Sequence, residues 1–376
     1  MTTEILTKRT EMPVEERERY YQAGQWQLVW WKFRKHLLAT IGLGVLILLY
    51  LVALLAEFVA PYGAATRFEG YGDAPPTSVH IMANGELTGP FVYGTTRKLD
   101  MKTFKTNYVR DTSKRIPIRL FSRGEPYQLL GILSTDIHLF TTTGNTPVLL
   151  FGADRLGRDI LSRTIYGSRI SLSIGFVGVA ISFVLGLVIG GISGYFGGLA
   201  DLIIQRIIEF ILALPAIPLW MALSAALPRE WSVIKTYFFI TIILSLIAWT
   251  TLAREVRGKL LALREEDFVV AARLAGANWP RIMRVHLFPS FTSHLIVTIT
   301  LAIPGMILAE TALSFIGLGL QAPAVSWGVL LQDAQNIATV AQRPWQLIPA
   351  IFVIVTVLMF NFLGDGLRDA ADPYSV

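Results

Sequence analysis

Within the apolar stretches of this 376-residue sequence, three ionisable residues stand out: Arg206 and Glu209, three apart on one helix face, and Glu310. A lone charge in lipid is costly, so each must face protein or water. Two uses follow. Glu209 or Glu310 lies on a polar path and meets a cationic group, or these residues brace helices, Arg206 with Glu209 or with nearby Asp201. His286 and His294 are eight apart with no acidic cluster beside them, a pattern that suits capping or packing, and no metal site is expected. The absence of cysteine removes disulfides, thiol catalysis and Cys-ligated metals. Neither G-x-x-x-x-G-K-[ST] nor H-E-x-x-H occurs, so the chain carries no phosphate cradle and no zinc-protease helix. A membrane-embedded hydrolase would need a nucleophile converging on a base or metal ligands, and no such set is visible. The chemistry on offer is binding and movement.

One charged segment, 267–289 (DFVVAARLAGANWPRIMRVHLFP), separates two long apolar stretches, and its polar groups place it in water. At helical spacing Phe268, Ala271, Ala272 and Ala275 make one narrow face, with Glu265, Glu266, Asp267 and Arg273 pointing away. A face of small residues suits a groove on another protein. Gly276 is placed to end this helix, Asn278 to cap a second, and Pro280 to fall in the first turn of the second, where its missing N–H is harmless.

The elements that hold this segment are membrane spans. Hydrophobic residues make up 53% of the chain and charged residues only 16%, with mean hydropathy +0.52, so much of it faces lipid or the inside of a bundle. Six apolar stretches reach the ~20 residues that a bilayer requires; they lie near 37–60, 168–193, 201–227, 234–254, 290–319 and 347–366. The net charge of +6 reads as the positive-inside bias of loops, and nucleic acid is not an expected partner. Segment 1–36 is too charged for a signal peptide, and its Lys8, Arg9, Arg17, Arg19, Lys32, Arg34 and Lys35 put it in the cytoplasm. By alternation, loop 255–289, with Arg257, Lys259, Arg264, Arg273, Arg281 and Arg284, is cytoplasmic too, both termini are cytoplasmic, and 61–167 is outside.

Trp26, Val29, Trp30, Phe33 and Leu37 form an apolar stripe flanked by cations, the pattern of an amphipathic helix in the lipid headgroup region. The insert 61–167 has no long apolar run. Its Thr, Gly, Tyr and Val residues, broken by prolines at 75, 76, 90, 117, 126 and 147, read as short strands and turns of a mostly β module with a modest core of its own.

The helix, bend and helix of 267–289 resemble the cytoplasmic coupling loop, or EAA loop, of ABC-importer permeases. Val270, Ala271, Ala272 and Gly276 occupy the motif positions, with valine where the pattern has glutamate, and His286 and Pro289 follow the ending common in the peptide branch. Further matches come at FGADRLGRDILSRTIYGSRISLSIG from Phe151, with Asp154, Gly157, Arg158, Asp159, Arg163, Gly167, Arg169 and Ser171. GYFGGLADLIIQRIIEFILALPAIPL from Gly194, SFIGLGLQAPAVSWG from Ser314 and NFLGDGLRDAADP from Asn361 complete the set. Covering the first span and everything from about Phe151 onward, the chain is similar to the C-type permease subunits of dipeptide, oligopeptide and nickel importers.

The resemblance implies a polytopic all-α membrane protein of the type I ABC-importer permease fold, with six transmembrane helices and an extracytoplasmic β insert. Its organisation would be a cytoplasmic segment 1–36, a first span 37–60, the insert 61–167 and a permease core 168–376 around coupling loop 255–289. The implied partners are a second homologous permease, two cytoplasmic ATPase subunits or domains, an extracytoplasmic solute-binding protein and lipid, in a bacterial or archaeal plasma membrane. ATP and Mg²⁺ would sit on the ATPases and no cofactor on this chain. Asp267, Ala271, Ala272, Arg273, Gly276, His286 and Pro289 would carry coupling, with Arg206, Glu209 and Glu310 as path or interhelical polar groups. Without the glutamate, Arg273, Glu266 or Asp267 would supply the polar contact to the ATPase. Oligopeptide or dipeptide is the expected cargo, with oligosaccharide and nickel as alternatives within the same machinery. A secondary transporter would share the hydropathy, but under that reading the coupling loop has no purpose.

Overall fold

A computed structural model describes residues 22–372 apart from 84–85, 100, 102–105, 143–145 and 229; Lys8, Arg9, Arg17 and Arg19 lie outside the described residues. Helix α1 (Gln25–Lys35) buries Phe33 against Ala39 and Ala370 and leaves Trp26 and Trp30 exposed. His36 breaks the helix, and its Nδ1 accepts from the Ala39 amide to cap α2 (Leu37–Leu54), which runs on into a single turn, α3 (Ala56–Val59).

The insert is a four-stranded antiparallel meander in the order β1 (His80–Ala83), β2 (Glu86–Leu99), β3 (Thr106–Leu129) and β4 (Leu133–Thr142). The short strands expected from its prolines are not what forms. β3 runs 24 residues because it changes partner midway, pairing with β2 up to Pro117 and with β4 from Ile118. Pro126 falls in the register shift between Arg123 and Tyr127, where no ladder N–H is needed. Little of the strands is buried: in their described parts only Phe91, Val92, Gly94, His138 and Thr141 are, and the insert's small apolar cluster, Ala74, Leu149 and Ala153 with Phe68, Tyr71 and Tyr108 packed against it, lies largely outside the sheet. The sheet is instead anchored to the bundle. His138 bridges the carbonyls of Ala60 (2.7 Å) and Glu125 (2.9 Å), while Glu125 accepts from the Thr66 hydroxyl and the Gly63 amide.

Next come α4 (Ile160–Phe196), α5 (Gly198–Ala213), α6 (Ala216–Ala225), α7 (Val233–Leu263), α8 (Asp267–Leu274), α9 (Thr292–Phe315), α10 (Trp327–Leu331) and α11 (Ile348–Ala371). Among the described residues five helices are long and apolar enough to cross a membrane, and the bent pair α5–α6 makes a sixth if it is one span. Several of the expected boundaries move, and the span expected over 234–254 runs on as α7 to Leu263, into the expected loop 255–289. The span expected at 168 begins at Ile160, capped by Asp159, because Ser162, Arg163, Thr164 and Ser168 are buried against protein and not offered to lipid. The stretch expected as one span over 201–227 bends by 85°, since Pro215 has no N–H and holds Leu214 extended. The span expected to 319 stops at Phe315, where Gly317 takes φ +80° and starts a return segment that ends in α10.

Chain direction places α1, the end of α11 and the segment 264–291 at one end of the bundle, and the insert with 316–347 at the other. The Lys32 ammonium donates to the Asp372 carbonyl at 3.1 Å across the first of these ends. α4 and α7 form the central pair, and Gly186, Gly190 and Gly194, four apart on α4, face α7 directly. A Cβ on Gly190 would lie 2.5 Å from the Ala253 carbonyl oxygen, so only glycine permits this spacing.

Gly190→Val is therefore expected to force the two helices apart and cut the yield of folded protein in detergent severalfold, whereas Gly44→Val, with nothing within 4 Å of the added Cβ, should leave it near wild type. Size-exclusion profiles and thermal midpoints of the two purified variants check this. Equal behaviour would contradict the packing assigned to the glycine stripe.

Candidate functional site

The segment after α7 is built as a seat and a face. Arg264 caps α7, α8 follows, and Gly276 takes φ +81°, a conformation that favours glycine, so the chain turns sharply. The Asn278 side chain then accepts from the Arg281 amide at 3.2 Å, and the second helix runs through a widened turn over Ile282–Leu287 to Ser290. Val269, Ile282, Met283 and Leu287 bury themselves against Leu252, Val256 and Leu260 of α7. Each such side chain contributes roughly 1.5–3 kcal/mol, enough in sum to hold the segment rigid against the bundle. Trp279 stacks edge-on to Phe196 at 5.6 Å and ties the second helix to the end of α4.

The expected face is rotated by this seating. Ala272 is half-buried, turned with Val269 toward the bundle, because α8 needs an inner side as well as an outer one. The outward surface consists of Phe268, Val270, Ala271, Leu274 and Ala275, with Leu274 84% exposed, continued by Trp279 and Val285. Asp267 and Arg273 are exposed on the flanks, as are Arg281 and Arg284. His286 is half-buried and Pro289 exposed, within the second helix and its last turn. Val270, standing where the motif has glutamate, adds apolar area to the outward surface.

Where α7 reaches this seat, a polar clamp holds three helices. Asp201 accepts two bonds from Arg257, Nε at 2.5 Å and a terminal nitrogen at 2.6 Å, plus one from the Ser193 hydroxyl at 2.5 Å. The planar fork of the guanidinium against a carboxylate makes this a directional pair. Asp201 is thus occupied by Arg257 and not by Arg206. Arg206 and Glu209 pair with each other at 2.7 Å within α5, largely exposed, and bridge to no other helix among the described residues. The sequence signal for the clamp was an aspartate in an expected span and an arginine in the expected loop 255–289, with nothing in their spacing to link them.

Glu310 is fully buried in α9. Its Oε1 accepts from the hydroxyls of Ser314 and Ser326, both at 2.8 Å, so it pins the return segment to the helix that precedes it. Ser171 of α4 then accepts the Trp327 amide at 3.0 Å, and the Trp327 indole donates to the Thr164 carbonyl at 3.0 Å. A Cβ at Gly328 would meet the Thr311 carbonyl at 2.8 Å, so this approach also requires glycine. Glu310 closes an internal brace. A separate groove lies among α4, α6, α7 and α9, lined by Phe183, Trp220, Leu244, Thr251, Thr298 and Met306 among others, and none of Arg206, Glu209 and Glu310 lines it. His294 is 3.6 Å from Glu255, which also accepts from Thr298. No group of three or more metal-ligating side chains occurs among the described residues.

At the insert end, the turn 151–159 is the second polar centre. Asp154, nearly buried, accepts from Arg163 and, at 2.7 Å, from Arg158, as well as from the amides of Leu156 and Arg158. Arg169 reaches across to Glu57 of α3 and to the Ala53 carbonyl. Asp159 caps α4 by accepting from the Ser162 amide and hydroxyl, both at 2.7 Å. Burial pushes its carboxyl up to about 6, against the pull of those hydrogen bonds.

Comparison with known proteins adds to this geometry. Residues 186–374 match the family model of the binding-protein-dependent transport system inner membrane component, and 24–76 match that of the N-terminal TM domain of oligopeptide transport permease C. The chain is 41% identical over 226 residues to a dipeptide transport system permease protein of Bacillus subtilis, covering 59% of this chain and 68% of the relative. It is 42% identical over 224 residues to an oligopeptide transport system permease protein of Haemophilus influenzae, 59% and 70% of the two. To a dipeptide permease of Lactococcus lactis it is 33% identical over 355 residues, 92% of this chain and 90% of that one. A solved inward-facing MetNI methionine ABC transporter chain superposes with TM-score 0.43 at 18% identity, over 56% of this chain and 97% of that one.

The Asp159 carboxyl titrates near 6 in the folded chain and near 3.8 when unperturbed, so on acidification the folded state takes up the proton first. Its charged form therefore opposes folding above pH 6, and the penalty fades between pH 6 and 4, by up to about 1.4 kcal/mol per pH unit. Asp159→Asn is expected to raise the thermal midpoint at pH 8 more than at pH 5. An equal shift at both pH values would contradict the buried-charge assignment.

Proposed function

This chain belongs to the family of binding-protein-dependent transport system inner membrane components, and from that premise we propose that it is one of two permease subunits of an ATP-driven peptide importer. The observation that carries the reading is the seating of the segment after α7: an apolar, exposed helix face held rigid by buried anchors on its opposite side, in a chain whose full-length relatives are named for dipeptide and oligopeptide transport. An isolated apolar face of this kind at the end of a membrane bundle fits a partner's groove, and the flanking Arg273, Arg281, Arg284 and Asp267 supply polar contacts at its rim.

In this reading two cytoplasmic ATPases bind ATP and Mg²⁺ and close on each other, and α8 with the helix after it transmits that motion to α7 through Val269 and Ile282. ATP shifts the equilibrium because it favours the closed pair over the open one. The second permease packs beside this one, and the cargo path is assigned to the groove among α4, α6, α7 and α9. A solute-binding protein delivers peptide at the insert end, where Arg110 and Arg115, stacked over Tyr93 and Phe91, together with Arg119 and Arg123 give β3 a basic surface for docking. The chain itself hydrolyses nothing. Both termini and the α8 segment are cytoplasmic, and the sheet is outside.

Two results check this. In the cysteine-free chain, a cysteine at Ser113 in β3 should react with an impermeant thiol reagent from outside in intact cells, and one at Ala275 only after permeabilisation. The reverse pattern would invert the topology. Leu274→Asp, which alters only an exposed side chain, should leave assembly of the bundle intact and reduce peptide-stimulated ATP hydrolysis of the reconstituted complex by tenfold or more, about the loss of one buried apolar anchor at an interface. Full stimulation would remove α8 from the coupling path.

A further inference from the structure

A cavity of about 280 Å³ lies at the insert end, between the turn 154–163 and the return segment that includes α10, and its charges do not balance. Arg155, Arg158 and Arg163 line it against only two carboxylates, Asp154 and Asp333. Asp154 serves both Arg163 and Arg158, and Asp333 approaches Arg155 no closer than 3.9 Å. Asp159 does not line the cavity; it caps the amino terminus of α4. Among the lining side chains guanidiniums outnumber carboxylates three to two, an excess that favours anions in a partly enclosed space.

Two buried atoms point to the shape of that anion. Arg163 is 5% exposed, and its Nε has no partner. Gln346, 3% exposed and on the same wall system, has an unpartnered Oε1. The side chains that carry this donor and this acceptor both line the cavity. The carboxyl-terminal residue of a peptide carries both groups, a carboxylate and the amide N–H one atom from its Cα. At about 280 Å³ the space is below the ~300–1,000 Å³ usual for pockets that enclose a whole ligand. It takes an end of a peptide, not the chain. Its mouth is formed by Arg155 and Asp333, whose side chains are about half exposed, at the end of the bundle where the cargo is delivered.

We propose that this cavity is a receiving site for the carboxyl-terminal residue of the transported peptide, held by Arg163 and Arg158 with Gln346 on its amide. The proposal rests on the peptide-import reading, and its test does not use import. In the purified complex, a single cysteine at Gln332, a half-buried lining residue, replaces the native side chain in a chain with no other thiol. Its reaction rates with a sulfonate-bearing and a trimethylammonium-bearing methanethiosulfonate are compared. The anionic reagent should react about tenfold faster or more, because a charged, partly enclosed site concentrates opposite charge. Trialanine should slow it, and trialanine amide should not.

Arg158→Gln should abolish the preference for the anionic reagent; if that variant does not fold, Arg155→Gln at the mouth should reduce it. Arg163→Lys should keep the preference and weaken protection by trialanine about tenfold, a split that a purely structural role for Arg163 would not produce. Equal rates for the two reagents, equal protection by acid and amide, protection by acetate but not trialanine, or protection by the peptide-free binding protein alone would each overturn the proposal. Import of trialanine by the unmodified complex is measured separately, so failure of the functional reading is distinguishable from failure of this site.

Discussion

The close approach of α4 and α7 governs the rest of the molecule. In lipid, helices gain little from burying apolar side chains, so association depends on how near two backbones come. Gly186, Gly190 and Gly194 remove the side chains that would hold α7 off, leaving the Leu252 side chain and the backbone of Ala253 and Arg257 as direct neighbours of α4. Once α7 is fixed, so is the point where it leaves the bundle. Leu252, Val256 and Leu260 then present the apolar floor on which Val269, Ile282 and Leu287 sit.

Polar groups lock the two ends of this pair. At one end Asp201 joins α4, α5 and α7 through Ser193 and Arg257; at the other Glu310 joins α9 to the return segment, and Ser171 and Thr164 join that segment to α4. A carboxylate buried without partners would be strongly destabilising, whereas one given two or more donors in fixed positions specifies a geometry. The locks differ in kind. The Asp201 clamp is an ion pair near the α8 seat, and the Glu310 brace uses only hydroxyl donors inside the bundle.

What was legible in the sequence follows the range of the interactions. The bend at Gly276 and the cap at Asn278 are local devices, and both were readable, as were the apolar spans, because hydropathy is a local sum. The binding-protein-dependent permease family was readable from separated motifs in order. The break at Pro215 was written in the residue itself, yet a continuous apolar run concealed it. The pairing of Asp201 with Arg257 and the seating of Ala272 were not legible, since each depends on which helices lie together. The sheet misled for a different reason: prolines at 117 and 126 read as strand ends, but a strand that changes partners or bulges has ladder positions that need no N–H.

The replacement of the motif glutamate by Val270 fits this division of α8 into seat and face. On a helix whose inner side is committed to Val269 and Ala272, residue 270 lies on the other side, so a change there alters what is shown to a partner and not how the helix is held. Valine exchanges a charge at the surface for apolar area next to Leu274, and charged groups remain nearby at Asp267 and Arg273. The seating of α8 and the chemistry of its outer face are thus set by different residues. That separation lets the outer face change while the bundle beneath keeps one geometry.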